Sequence, residues 1–439
     1  HELVTPREAL LVHLMPDVCS YATGEFFMPI ASGHPGERYR KNGIQGRKET
    51  EMGKRTISRR SFVGAGSLSA AALGMLLAGC GTTQQQSGSS NQTDAAKSNS
   101  LVAKTAYGPV KGTNEGGVNI WYGVPYGKSP EGELRWQAPE EPESWTEERD
   151  CTQPAQPALQ YTNNEVTGTE DCLNLDVYAT EGASKLPVLV YIHGGNNQTG
   201  NAQEIPGKDL VVNNSCVYVS LSYCLGLFGF NCLPALGNDT GNFTLLDIAA
   251  ALDWVRSNIE AFGGDPENVT VSGFSAGGRD VMAMLMSPLF EGKFDKAIAF
   301  SGGMTTAELE PSQKKIAAAL VPLAIEDGKA ADEESAYQWL LSDDSAVRDW
   351  LYSVSGERLA PLMGNASIRM SVFPHLYEDD IALPKGGFAN ASYHAVPLIM
   401  LTGSTEFNMF SAFDAFWKSD PMAALSEDKL KAAQAFAIK

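Results

Sequence analysis

The sequence predicts an α/β domain: a mostly parallel central sheet with helices on both faces. Three observations carry that expectation. Continuous apolar runs of strand length alternate with longer runs of helical period. No hairpin signal is read between them, so strand-to-strand connections are expected to cross over through helices. One strand runs into a helix through a tight glycine-flanked turn at residues 268–278.

The elements follow in order. LPVLVYIHGG (186–195) is an unbroken apolar run closed by glycines, as a strand buried on both faces requires. CVYVSLSY (216–223) is a second such strand. Residues 243–264 place apolar side chains at helical spacing and stop at Gly263-Gly264. NVTVSGFSAGG (268–278) is a β-branched strand entering a turn, and 279–287 continues as a helix. Residues 295–302 and 396–403 are two further strands. No internal repeat is found.

Gly273-Phe274-Ser275-Ala276-Gly277 fits G-x-S-x-G. Leaving a strand and entering a helix in one sharp turn strains the serine and leaves no room for side chains two residues either way, hence Gly273 and Gly277. The following helix aims its N-terminal amides at the serine, and the Ala276 amide can donate to a developing oxyanion. His193-Gly194-Gly195-Asn196, after the strand 186–192, supplies a loop whose amides can complete an oxyanion hole of Gly195, Asn196 and Ala276. Each such donor stabilises the transition state by roughly 3 kcal/mol.

Several passages in order then resemble the type B carboxylesterase and cholinesterase-like family. They are YGVPYGKSPEGELRW (122–136), EDCLNLDVY (170–178), YIHGG (191–195), LGLFGF (225–230), the block 241–278 and FDKAIAFSG (294–302). The resemblance implies an α/β-hydrolase fold and hydrolysis of small-molecule carboxylic esters through an acyl-serine intermediate on Ser275, with no cofactor and no metal. It implies a glutamate as the acid after the strand 396–403. Glu406 takes that place if the loop is shortened; without the gap Asn408 falls there. The fold's last strand is not readable before residue 439. The triad order in this fold is serine, acid, histidine, yet no residue after Glu406 is a histidine. His193 is expected to order the oxyanion loop. His375 and His394 precede the acid strand, where the family has no catalytic residue.

Serine is a poor nucleophile without a base, and losing one triad member leaves only about 10³–10⁴-fold catalysis over water. The expectation is therefore a carboxylesterase nearly inert as residues 1–439, with a non-catalytic cholinesterase-like binding protein or a decayed gene product as the alternatives. Smaller departures accompany this. Phe274 stands where the family usually has Glu, Asn196 where it has a third glycine, and Cys224 where it commonly has Arg. Cys172 matches a family disulfide cysteine whose usual partner position is Ala158, and Cys151 is the nearby substitute.

Residues 52–80 carry a twin arginine (Arg59, Arg60), a mild apolar run and Leu77-Ala78-Gly79-Cys80. A twin arginine before such a run marks an export signal, and the run is too short and too rich in Gly and Ala to read as a membrane span. The last four residues resemble a lipobox, so Cys80 is the expected lipidation site, holding the protein on the outer face of the bacterial membrane. Met52 is then the expected start and 1–51 upstream sequence. Residues 81–100 are a polar tether, and 101–439 is the esterase domain, C-terminally truncated.

Hydrophobic residues make up 43% and charged residues 19%, fitting a globular core. A net charge of -19 argues against nucleic acid as a partner, since phosphate binding needs Lys and Arg. No C-x-x-C or H-E-x-x-H spacing suggests a metal site.

Overall fold

The computed structural model of the protein describes residues 101–363, 374–404 and 406. The assignments for 1–51, 52–80 and 81–100, the lipidation site Cys80, the alternative acid Asn408 and the segment after Glu406 lie outside the described residues.

The core is an eight-stranded sheet. We number its strands β1 (Thr113–Glu115), β2 (Val118–Pro125), β3 (Asn174–Thr180), β4 (Leu186–Ile192), β5 (Val217–Leu221), β6 (Gly264–Phe274), β7 (Lys296–Phe300) and β8 (Leu398–Leu401). Their spatial order is β8-β7-β6-β4-β5-β3-β2-β1. The five strands from β5 to β8 pair in parallel. The other three pair antiparallel.

The sheet is thus mixed, and its antiparallel side departs from the hairpin-free pattern expected. Glu115 pairs with Val118, so β1 and β2 are joined by Gly116-Gly117 alone. Both glycines have positive φ, 63° and 87°. That is the conformation a two-residue hairpin turn needs, and Gly-Gly supplies it without steric cost. The dipeptide was there to be read, but the flanking strands are short and mix polar with apolar residues.

Helices cover both faces. Along β4, Val188, Val190 and Ile192 join the core that includes Leu245, Ile248, Leu252 and Val255 of α2 (Phe243–Asn258), and Val281 and Leu285 of α3 (Ala276–Met286). Leu189 and Tyr191 point the other way. They join Tyr178, Tyr218 and the residues Leu210 and Val211 of α1 (Lys208–Asn214). The alternation is the period-two rule of a strand applied to a sheet buried on both sides. Three more helices, α4 (Leu309–Glu326), α5 (Glu333–Leu340) and α6 (Ser345–Ser353), are inserted between β7 and β8.

Candidate active site

The turn between β6 and α3 holds Ser275 at φ 56°, ψ -114°. A side chain with positive φ is strained, and here the surroundings dictate it. A Cβ on Gly277 would overlap the carbonyl oxygen of Ile192, and one on Gly273 would overlap that of Gly277. Glycine at both positions is therefore a packing requirement, since neither has the positive φ that would call for glycine by itself. The Ser275 amide donates to Phe300 O at 2.9 Å, fixing the turn against β7. The serine itself is exposed, and no described residue hydrogen-bonds its hydroxyl.

The loop after β4 comes to the serine from the other side. A Cβ on Gly194 would lie 3.4 Å from Ser275 Cβ and 3.0 Å from Phe274 O. Gly195 has φ 96° and Asn196 has φ 59°, so asparagine occupies the left-handed backbone that a third glycine would otherwise fill. The amides of Gly195, Asn196 and Ala276 make no hydrogen bond to another described residue. The predicted nucleophile and predicted oxyanion donors are therefore brought to one place, with those amides free to donate.

His193 is held in place by its neighbours. It is buried, stacks on Tyr223 with ring centroids 4.3 Å apart and planes 11° apart, and donates through Nδ1 to Gly194 O at 2.9 Å. The Tyr223 hydroxyl donates to His193 O at 2.7 Å. Burial lowers the imidazole pKa, keeping the ring neutral.

Sequence reasoning missed several residues that shape this loop. Glu204 accepts from the Gly194 amide at 2.9 Å and from the Tyr191 hydroxyl at 3.0 Å. Asn197 donates to Asp280 at 2.9 Å and its carbonyl accepts from the Gly226 amide at 2.6 Å. Asp280 is fully buried in α3, and burial raises its carboxyl to about 6, against the lowering effect of Arg279 and Asn197. An Arg-Asp pair at the start of an otherwise apolar helix was a visible signal for Asp280. Glu204 sits in an irregular loop with no pattern to mark it.

Glu406 lies beyond the C-terminal end of β8, which is separated from β6 by β7. The ends line up, because Ser301 N donates to Leu401 O at 2.7 Å just as Ser275 N donates to Phe300 O. Glu406 is exposed and its carboxylate accepts from the Gly403 amide at 2.6 Å. It is thus on the serine's edge of the sheet, with no contact to Ser275 recorded. His394 is elsewhere. Its Nε2 accompanies Ser287 O at 2.8 Å, past the C-terminal end of α3, roughly 16 Å of helix from Ser275. His375 packs against Phe230.

The five described cysteines are free thiols. The expected neighbour of Cys172 is corrected: Cys172 Sγ lies 3.5 Å from Cys224 Sγ, whereas Cys151 contacts no other thiol among the described residues. No described group of His, Cys, Asp and Glu is arranged to hold a metal ion.

Comparison with known proteins agrees with this geometry. The profile of the carboxylesterase family matches residues 99–433. The para-nitrobenzyl esterase of Bacillus subtilis is 37% identical over 326 residues, covering 72% of this chain and 64% of that protein. Esterase B1 of Culex pipiens is 33% identical over 290 residues, 60% of this chain and 53% of its own length. Among solved structures, a PNB esterase aligns with TM-score 0.60 at 35% identity, covering 71% of this chain and 65% of that one. A carboxylesterase of Geobacillus stearothermophilus aligns with TM-score 0.61 at 28% identity, covering 73% and 64%. The chain thus spans somewhat under two thirds of the first of these relatives. Strand order, serine turn and family profile lead to one conclusion: the chain belongs to the carboxylesterase family and has its α/β-hydrolase fold.

Proposed function

We propose that this protein hydrolyses small-molecule carboxylic esters through an acyl-serine intermediate on Ser275. The Ser275 oxygen attacks the ester carbonyl carbon. The oxyanion that develops accepts hydrogen bonds from the amides of Gly195, Asn196 and Ala276, each contributing roughly 3 kcal/mol. Collapse expels the alcohol, which takes up, by way of water, the proton that Ser275 lost on attack; water then hydrolyses the acyl-serine, freeing the acid and restoring the Ser275 hydroxyl. Glu406 is the carboxylate whose role in such a triad is to orient an imidazole base. The observation that carries this reading is the strained, exposed Ser275 with the oxyanion loop packed directly against it.

Among the described residues, no histidine hydrogen-bonds the Ser275 hydroxyl. His193 is pinned to Tyr223, His394 sits past the far end of α3, and His375 packs in an aromatic cluster. We infer that none of them serves Ser275, so the 439-residue chain turns over slowly. The test is labelling of the folded chain with a fluorophosphonate probe. Ser275 should label slowly, and Ser275→Ala should abolish labelling. Glu406→Gln should change the rate by less than about twofold, because no described histidine is paired with it. A folded chain that never labels would favour the second reading, a non-catalytic binding protein, for which Phe274 and Asn196, standing where the family usually has Glu and a third glycine, are the supporting observations. Reading the DNA beyond codon 439 for a strand followed by a histidine codon tests the base independently.

The twin arginine and Leu77-Ala78-Gly79-Cys80 further support export and lipid anchoring at Cys80. No helix among the described residues is long and apolar enough to cross a membrane. Metabolic labelling with a fatty-acid analogue should mark the wild-type chain and not Cys80→Ser.

A further inference from the structure

We propose that Cys172 and Cys224 are joined by a disulfide when the domain folds under oxidising conditions. Strands β3 and β5 pair antiparallel, with Leu175 opposite Leu221. The Ser222 amide then donates to Asn174 O at 2.9 Å, carrying the pairing one residue past the end of β5. The ladder stops there: the Asn174 amide turns back to Cys172 O at 2.8 Å and the Cys224 amide donates to Asp247 at 3.0 Å. Cys172 and Cys224 thus each lie two residues beyond the last bonded pair, on the adjoining ends of neighbouring strands. A disulfide spans Cα atoms about 4.4–6.8 Å apart.

The side chains agree with the backbone. The two sulfurs are already 3.5 Å apart, and both residues are buried. Small χ1 rotations bring them to bonding distance without moving the sheet. The other three described cysteines have no such neighbour: the Cys216 thiol faces Leu210 O, Cys232 neighbours Tyr377, and Cys151 sits among Arg149, Asp150 and Asp176. The pairing is therefore specific.

The contact with Cys172, together with burial, pushes the Cys224 thiol well above its usual range, and burial raises the Cys172 thiol against the lowering effect of the contact with Cys224; both make the closed site slow to react. The bond accordingly forms during folding, before the core closes. Two S–H bonds break and one S–S bond forms. Two protons and two electrons pass to a small-molecule disulfide, which is reduced to two thiols. The covalent ring runs from 172 to 224 and contains β4, the oxyanion loop and β5, so it ties together the segment that presents Gly195 and Asn196.

The experiment is refolding of the full chain in a glutathione redox buffer and, separately, in dithiothreitol. Remaining thiols are alkylated under denaturing conditions and the protein is mapped by mass without reduction. The expected result is a Cys172 peptide linked to a Cys224 peptide, with Cys151, Cys216 and Cys232 alkylated. The oxidised form should melt about 5 °C above the reduced form, and Cys224→Ala should remove that difference. Alkylation of both Cys172 and Cys224 after oxidative refolding, or linkage of Cys172 to Cys151, would overturn the proposal. The inference does not depend on esterase activity.

Discussion

Around Ser275, backbone packs against backbone: Gly277 against Ile192, Gly194 against Phe274, with Asn197 tied to Asp280 beneath. Around Glu406 there is little of this. Ile399, Met400 and Leu401 of β8 are 37%, 47% and 45% exposed, and the glutamate rests on one amide of its own loop. By contrast, residues 188–192 of β4 and 269–273 of β6 are buried without a break. Ser275 and the loop beside it are therefore positioned by the densest part of the sheet, while Glu406, the proposed acid, follows the exposed strand at the end of the described sheet. Precision in the first region is steric and hard to perturb gradually. In the second it depends on a single hydrogen bond.

Glycine substitutions should break this contrast most visibly. Gly277→Ala drives a methyl group into the Ile192 carbonyl and should cost more than about 3 kcal/mol, seen as loss of soluble folded protein or a collapsed denaturation midpoint. Gly403→Ala meets only the flexible Glu406 side chain, 3.3 Å away, and should cost less than about 1 kcal/mol. Equal effects would mean that the two regions are equally packed.

Core truncation sharpens the same point. Ile192→Ala in β4 should cost about 2–5 kcal/mol in urea denaturation, and Met400→Ala in β8 below about 1 kcal/mol.

The smallest effect is electrostatic. The Asp280 carboxyl is held near 6, while the unfolded chain loses that proton near 4. The fold therefore keeps a proton that the unfolded chain has released, so stability falls as pH rises from about 4 towards 6. Asp247, raised to about 7 by burial, and Asp176, raised to about 6 by burial, act in the same direction. Asp280→Asn should flatten part of that decline, by on the order of 1–2 kcal/mol, while keeping an oxygen to accept from Asn197. Denaturation midpoints at pH 5 and pH 8 check it, and an unchanged slope would remove Asp280 from the account.

Much of this division could be read beforehand. The strands 186–192, 217–221, 264–274, 296–300 and 398–401, and the helix that begins at Phe243, lie where periodicity puts them. Strands buried on both faces and long amphipathic helices leave their mark on every residue. The antiparallel β1–β3 did not, because their pattern is short and mixed and their turn is only two glycines. Within the site, Ser275, Gly273 and Gly277 were legible because a strained turn admits few residue types. Glu204 and Asn197 were not, since a hydrogen bond between distant loop residues imposes no spacing on the chain. The neighbour of Cys172 was misjudged for the same reason: Cys151 is closer in sequence, but sheet register brings Cys224.

By itself the sequence determined the parallel sheet, the nucleophile turn and the family resemblance, because local sterics and hydrophobic period are written residue by residue. Only the tertiary structure decided which thiols face each other, which carboxylates are buried, which partners hold His193 and His394, and that Glu406 follows an exposed strand. Those are outcomes of strand register and packing between segments far apart in the chain, which no local pattern encodes.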